Sequence, residues 1–233
     1  MNENLNNKYF IVLDKNKIFF SGFNNKKKIS LAQKYDSTNY EQNNLSREIE
    51  KFFNDNLIKI ERDLNDYIKS IIIIVDLENT LSANLSIKLN LDSGRIDKQK
   101  INELLITLKN QFSKYSNDYK VIHMVINKLL IDGEEKDLCF TSDKFQNLIL
   151  EVNFECLKEQ IISMINNSLF KYQISVKKIF VANYLKHTNQ NKLNSIISVA
   201  DKIISEGNKN EVIWINKKPF KPSFFEKFFT FFD

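Results

Sequence analysis

His123 and His187 are the only imidazoles in the chain and Cys139 and Cys156 the only thiols, and neither histidine lies in a ligand-spaced cluster with cysteines or carboxylates. Metal binding is therefore not expected, and His123, set in the apolar run Val121-Ile122-His123-Met124-Val125, reads as a structural residue of a strand. Ser93 has no G-x-S-x-G surroundings, so a nucleophile elbow is not indicated. Asp132, Glu134 and Glu135 form a small acidic group that reads as a solvated hairpin turn. Gly22, Gly94, Gly133 and Gly207 are the only glycines and no two lie close together, whereas loops that cradle phosphate need glycine where backbone N–H groups approach the ligand. These patterns predict no catalytic residue, no cofactor-binding residue and no metal ligand, and a protein that is not an enzyme.

The residues that do carry a chemical signal lie at the C-terminus. In Ser223-Phe-Phe-Glu-Lys-Phe-Phe-Thr-Phe-Phe-Asp233, placed on a helix, Phe224, Phe225, Phe228, Phe229, Phe231 and Phe232 share one arc of roughly 160°. Ser223 and Glu226 have the spacing of a capping box. Ahead of them, Asn216 to Pro222 reads as a linker with Lys217, Lys218 and Lys221, and Pro219 and Pro222 interrupt any helix. An apolar helical face beside basic residues, Lys227 included, fits a helix lying in a membrane interface. Burying six phenylalanines is worth a gross figure of about 10 kcal/mol or more, and lysines near an anionic leaflet add about 1 kcal/mol each. An anionic inner-membrane lipid surface is the expected partner. A tail docked on its own domain, or in a groove of a partner protein, is the alternative.

At 233 residues and 42% hydrophobic content, the chain can hold one large or two small globular domains. A net charge of +5 is modest for a chain this rich in lysine and asparagine, so nucleic acid is not an expected partner. Two cysteines in apolar surroundings make no disulfide framework, which points to a reducing, cytoplasmic compartment. The apolar run Tyr9 to Leu13 is too short for a signal-peptide core, and no stretch reaches the length of a membrane-spanning helix. Peripheral attachment to the cytoplasmic face of the membrane is what remains.

The elements that must position these residues follow from periodicity. Lys8 to Asp14 and Lys17 to Gly22 read as a hairpin, and Lys28 to about Lys34 as a third strand. Leu45, Ile49, Phe52, Phe53, Leu57, Ile60, Leu64 and Ile68 mark one long amphipathic helix, and Ser70 to Asp76 a strand buried on both faces. A strand through Leu85 to Leu91, a helix opening near Asp97, a strand Val121 to Ile131 and a strand Leu148 to Cys156 form a block of different texture. A helix then starts at Leu157, a strand covers Lys178 to Tyr184, a helix follows from about Leu193 to Gly207, and Val212 to Ile215 reads as a further strand, with Trp214 equally a strand residue or an interface anchor.

With the middle block lifted out, the remainder has the order strand, strand, strand, helix, strand, helix, strand, helix of one ribonuclease H-like lobe. Ile11-Val12-Leu13-Asp14 with Lys17-Ile18, Val121 to Val125 with Ile131-Asp132-Gly133, and Val176 to Asn183 resemble stretches of FtsA, the actin-like bacterial cell-division family. The resemblance implies an α/β fold, an actin-type lobe with an inserted strand-helix-strand-strand subdomain of the kind called 1C in that family. The implied divisions are 1–79 with 157–207 for the lobe, 80–156 for the insert, 208–222 for the linker and 223–233 for the amphipathic membrane helix. Lys15-Asn16-Lys17 stands where that family has a glycine-threonine phosphate loop, and the second actin lobe is missing, so ATP binding is not implied and FtsZ binding is doubtful. The implied function is a non-catalytic, membrane-tethered scaffold of cell division, whose partners are divisome proteins or further copies through the 1C-like subdomain. A membrane-associated assembly factor of another actin-like system, a pilus or secretion platform, is the alternative.

Overall fold

The structure, a computed structural model, describes residues 7–23, 28–34, 43–78, 80–95, 98–136, 144–188 and 195–212. Its first sheet contains β1 (Lys8–Asp14), β2 (Lys17–Phe23), β3 (Lys28–Lys34), β4 (Ser70–Asp76) and β9 (Ser175–Val181), in the order β3-β2-β1-β4-β9. The first three strands are antiparallel neighbours, and β4 runs parallel to both β1 and β9. Successive side chains of a strand point to opposite faces. Ile11, Leu13, Ile71, Ile73 and Val75 therefore share one core with α1 (Asn43–Leu64) and α3 (Glu159–Phe170). Phe10, Val12, Ile72 and Ile74 share another with α4 (Ala182–Thr188) and α5 (Ile196–Glu206). Cover on both faces explains why the interior of β4 is apolar throughout.

The second sheet is inserted between β4 and β9. It comprises β5 (Thr80–Arg95), β6 (Tyr119–Ile131), β7 (Glu134–Glu135) and β8 (Lys144–Lys158), ordered β5-β8-β6-β7 and antiparallel throughout. One face is packed by α2 (Lys98–Tyr115), whose Leu104, Leu105, Leu108 and Phe112 meet Leu148, Leu150, Val152 and Phe154. The Phe112 and Phe154 rings stack at 5.0 Å. The chain enters this sheet at Thr80, the register partner of Leu157, and leaves it one residue later at Lys158, so the covalent stem is two strands wide.

Three boundaries differ from the periodic reading, each for a local reason. α1 ends at Leu64, short of Ile68, because Asn65 turns left-handed (φ 52°) and the Asp66 N–H returns to the Glu61 carbonyl at 3.1 Å. The expected strand Lys178 to Tyr184 becomes β9 followed by a helix from Ala182. Val181 pairs with Val75 near the end of β4, and Ala182, Tyr184 and Leu185 then bury at helical spacing. β5 and β8 are longer than expected, because each lends pairing to the other along most of its length. Gly207 (φ 78°) closes α5 where expected. Of Val212 to Ile215, only Val212 lies within the described residues, and the bridge there is made by Glu211.

Gly22 sits opposite Tyr9 in the β1–β2 pair, and a Cβ there would lie 2.9 Å from the Phe20 ring and 3.0 Å from the Tyr9 ring. Gly22→Ala should therefore cost about 1–3 kcal/mol through forced ring displacement, read as a lower urea midpoint with an unchanged slope.

Candidate functional site

The polar groups that the fold gathers lie where the inserted sheet meets α4. Ser82 on β5, Glu155 on β8 and His123 on β6 are register neighbours, forming a row across three strands on the face away from α2. His123 is buried, and both ring nitrogens are committed: Nδ1 lies 2.7 Å from Oε1 of Glu211, and Nε2 accepts the Val181 N–H at 3.2 Å. Because Nε2 accepts, the proton sits on Nδ1 and the ring is neutral. The ring stacks on Tyr184 at 3.9 Å and on Phe180 at 5.4 Å. The Tyr184 hydroxyl donates to Oε2 of Glu211 at 2.8 Å and accepts from Asn208 at 3.1 Å.

Burial depresses the His123 pKa below its ordinary value, against the opposing pull of the Glu211 carboxylate. Burial pulls Glu211 upward, but the bonds from His123 and Tyr184 outweigh it and hold the carboxyl below its usual range. Glu155 goes the other way: burial raises it, and the bond from Ser82 Oγ at 2.8 Å, with smaller contributions from His187 and Asn153, only partly offsets that. Its second oxygen, Oε2, has no hydrogen-bond partner among the described residues. Burial also pushes the Cys156 thiol up to about 12, which leaves it unreactive.

Beside this row lies a polar cavity of about 520 Å³. Ser82, Asn84, Asn127 and Asn153 line it from the sheet, His187 from α4, and Asn208 from the segment after α5. Asn153 donates to Asn84 at 3.0 Å and to Ser82 at 3.2 Å. The wall offers amides and hydroxyls together with the His187 imidazole and the Lys209 amine, a lining suited to hydrogen-bonded capture. Among the described residues no group of histidines, cysteines and carboxylates is placed to hold a metal ion.

At the C-terminal ends of the parallel strands, where α/β sheets usually bind ligands, Asp14 of β1 and Asp76 of β4 are register partners. Both face lysines: Lys186 binds Asp76 at 2.8 and 3.0 Å, and Lys17 lies 3.9 Å from Asp14. The β1–β2 turn is only Lys15-Asn16 and has no glycine.

Lys217, Lys218, Lys221, Lys227, Phe224, Phe225, Phe228, Phe229, Phe231 and Phe232, the membrane-contact residues expected from the sequence, all lie outside the described residues. His123 lies in a strand, β6, where the sequence pattern puts it, and is the hub of a cluster as well. Glu155, Tyr184, Asn208 and Glu211 drew no attention in the sequence; the only available signal was a buried-strand pattern interrupted by His123 and Glu155.

No protein-family model matches the chain, and no curated protein matches it. Similar solved structures include a PilM–PilN type IV pilus biogenesis complex, at TM-score 0.47 and 5% identity over 76% of this chain and 48% of that one. Another is the cytoplasmic domain of EpsL, an inner-membrane component of the Vibrio cholerae type II secretion system, at TM-score 0.37 and 10% identity over 77% and 58%. A third is a Bacteroides thetaiotaomicron protein of actin-like ATPase fold and unknown function, at TM-score 0.33 and 12% identity over 79% and 56%. The chain thus spans about half the length of these structures.

Two substitutions test the electrostatics. Glu155 has a folded pKa above its unfolded 4.5, so its contribution is fully present below pH 4.5 and is lost as pH rises through the folded value. Glu155→Gln should accordingly stabilise the protein at pH 7 by about 1 kcal/mol or more, with the difference vanishing below pH 4.5. Glu211→Ala strands the His123 N–H and the Tyr184 hydroxyl and should cost about 2–4 kcal/mol at neutral pH, measured by urea unfolding.

Proposed function

We propose that this chain is a non-catalytic scaffold, an actin-like lobe carrying a 1C-like inserted subdomain, that gathers partner proteins at the cytoplasmic face of a membrane. The observation that carries the reading is how the glycines are used. Gly22 is a packing glycine inside β2, Gly94 lies at the register shift of β5, Gly133 (φ 88°) turns β6 into β7, and Gly207 caps α5. All four are taken up by the fold, and the turn where an actin-like protein would hold phosphate is two residues closed by the Asp14–Lys17 pair. The sheet order, with helices on both faces and an insert between β4 and β9, agrees with a ribonuclease H-like lobe.

The same turn departs from the nucleotide-binding pattern of the cell-division family. For that reason we place a pilus or secretion platform first among the settings and cell division second. The domain limits 1–79 with 157–207, and 80–156, are part of the proposal. The six phenylalanines and four lysines of the tail serve in it as the lipid anchor, on the strength of their sequence pattern alone. β5 forms an edge of the inserted sheet, with Lys88 as its one charge between Thr80 and Asn90, which supports protein contact there.

The test is co-sedimentation of the full chain, and of a form ending at Lys221, with vesicles of neutral lipid and of neutral plus anionic lipid. Tail-dependent pelleting that is stronger on anionic vesicles is the expected result. If both forms stay in the supernatant, the tether is wrong and the phenylalanines serve a protein surface instead.

A further inference from the structure

The strand bonds of the inserted sheet and its stem fix its internal shape, and a third tie fixes it to the first layer. After Gly207 the chain crosses to the outer edge of β6, where the Ile126 N–H donates to the Asn210 carbonyl at 2.9 Å and the Val212 N–H to the Met124 carbonyl at 2.8 Å. Val125 and Glu211 form a β-bridge there. This strap, 208–212, supplies Asn208, Lys209 and Asn210 to one wall of the polar cavity. Two main-chain bonds on a short isolated bridge hold little by themselves. The buried fastening is Glu211, gripped by His123 from the sheet and by Tyr184 from α4, with Asn208 bonded to the Tyr184 hydroxyl and Val212 packed on the inserted sheet's core beside it.

We propose that His123 is a proton-operated latch: the neutral ring holds the strap shut, and a second proton on the ring releases it and opens that wall of the cavity. The geometry gives the reason. A second proton can go only to Nε2, which now accepts the Val181 N–H at 3.2 Å, so protonation sets two donors against each other at a buried site. The ring would have to move, and it cannot do so while stacked on Tyr184 and Phe180 without loosening Glu211. The other charged or titratable groups facing the cluster are Glu155 across β8, Lys178 on β9, Tyr184 and His187 on α4, and Glu211 itself. Lys178 adds to the cost of a charged ring, whereas Glu211 favours it. The ring's lowered pKa places the opening below pH 6.5: closure is fully present above that value and is lost as pH falls through the folded pKa.

The test is amide hydrogen exchange on the full chain between neutral and mildly acid pH, corrected for intrinsic rates, together with ¹⁵N titration of the histidine rings. Protection at Ile126 and Val212 should fall by up to about tenfold per pH unit between pH 6.5 and the His123 midpoint and level off below it, while Ile72 to Ile74 in the central sheet hold theirs. His123→Gln should abolish that dependence and exposed His187→Gln should keep it. The proposal is overturned if Ile126 and Val212 track the central strand at every pH, if His123→Gln retains the dependence, or if the ring carries its neutral-pH proton on Nε2. Should His123→Gln fail to fold, wild-type protein still decides, because loss of protection that starts well above pH 6.5, or that continues to grow below the ring's own midpoint, contradicts a latch.

Discussion

An inserted sheet joined to its parent by a two-strand stem is free to rock unless side chains pin it, and here, beside Ile122 and Val125, which pack on the cores of the first sheet, the hydrogen bond between His123 and Glu211 does so. Three elements converge on it. β6 brings the imidazole, the segment after α5 brings the carboxylate, and α4 brings Tyr184 to both. The backbone of β9 enters as well, through the Val181 N–H. Because the cluster is buried, each member is costly to leave unmatched, and that cost makes the arrangement specific. Only one tautomer, one ring orientation and one placement of the strap satisfy all the groups together. Glu155 is the exception, with one oxygen unmatched beside the ring.

The rest of the molecule forms a packed frame around that junction. The first sheet is covered on both faces, and its central strands β1 and β4 spend their side chains on core. Where those strands end, carboxylates and lysines neutralise one another instead of leaving a charge for a ligand. On the sheet side of the cavity beside the junction, Asn153 bonds Asn84 and Ser82, and His187 and Lys209 complete the wall. Such a surface is suited to recognition by hydrogen bonding.

Much of the architecture was legible in the sequence, because burial on both faces or on one leaves a periodic trace. The interior of β4 could be read as a doubly covered strand, the apolar positions of α1 as a helix, and Gly207 as its own stop signal for α5. The junction was not legible in that way. Ser82, His123, Glu155, Tyr184 and Glu211 come from five separate elements, up to 129 positions apart, and no spacing rule links them. Tyr184 even read as a strand residue, since its helical role depends on β4 ending beside Val181. The strongest sequence signal, the phenylalanine face of the tail, lies outside the described residues, so the anchor rests on pattern while the junction rests on geometry.

The central claim is that the lobe organises partners without handling nucleotide, and the most direct measurement is a titration of the full-length chain with magnesium-ATP, followed by amide resonances and by release of phosphate. The account predicts no saturable shift at Asp14 to Lys17 or Asp76 to Glu78 and no hydrolysis. Saturable binding at those strand ends, or phosphate release above the protein-free rate, would contradict it.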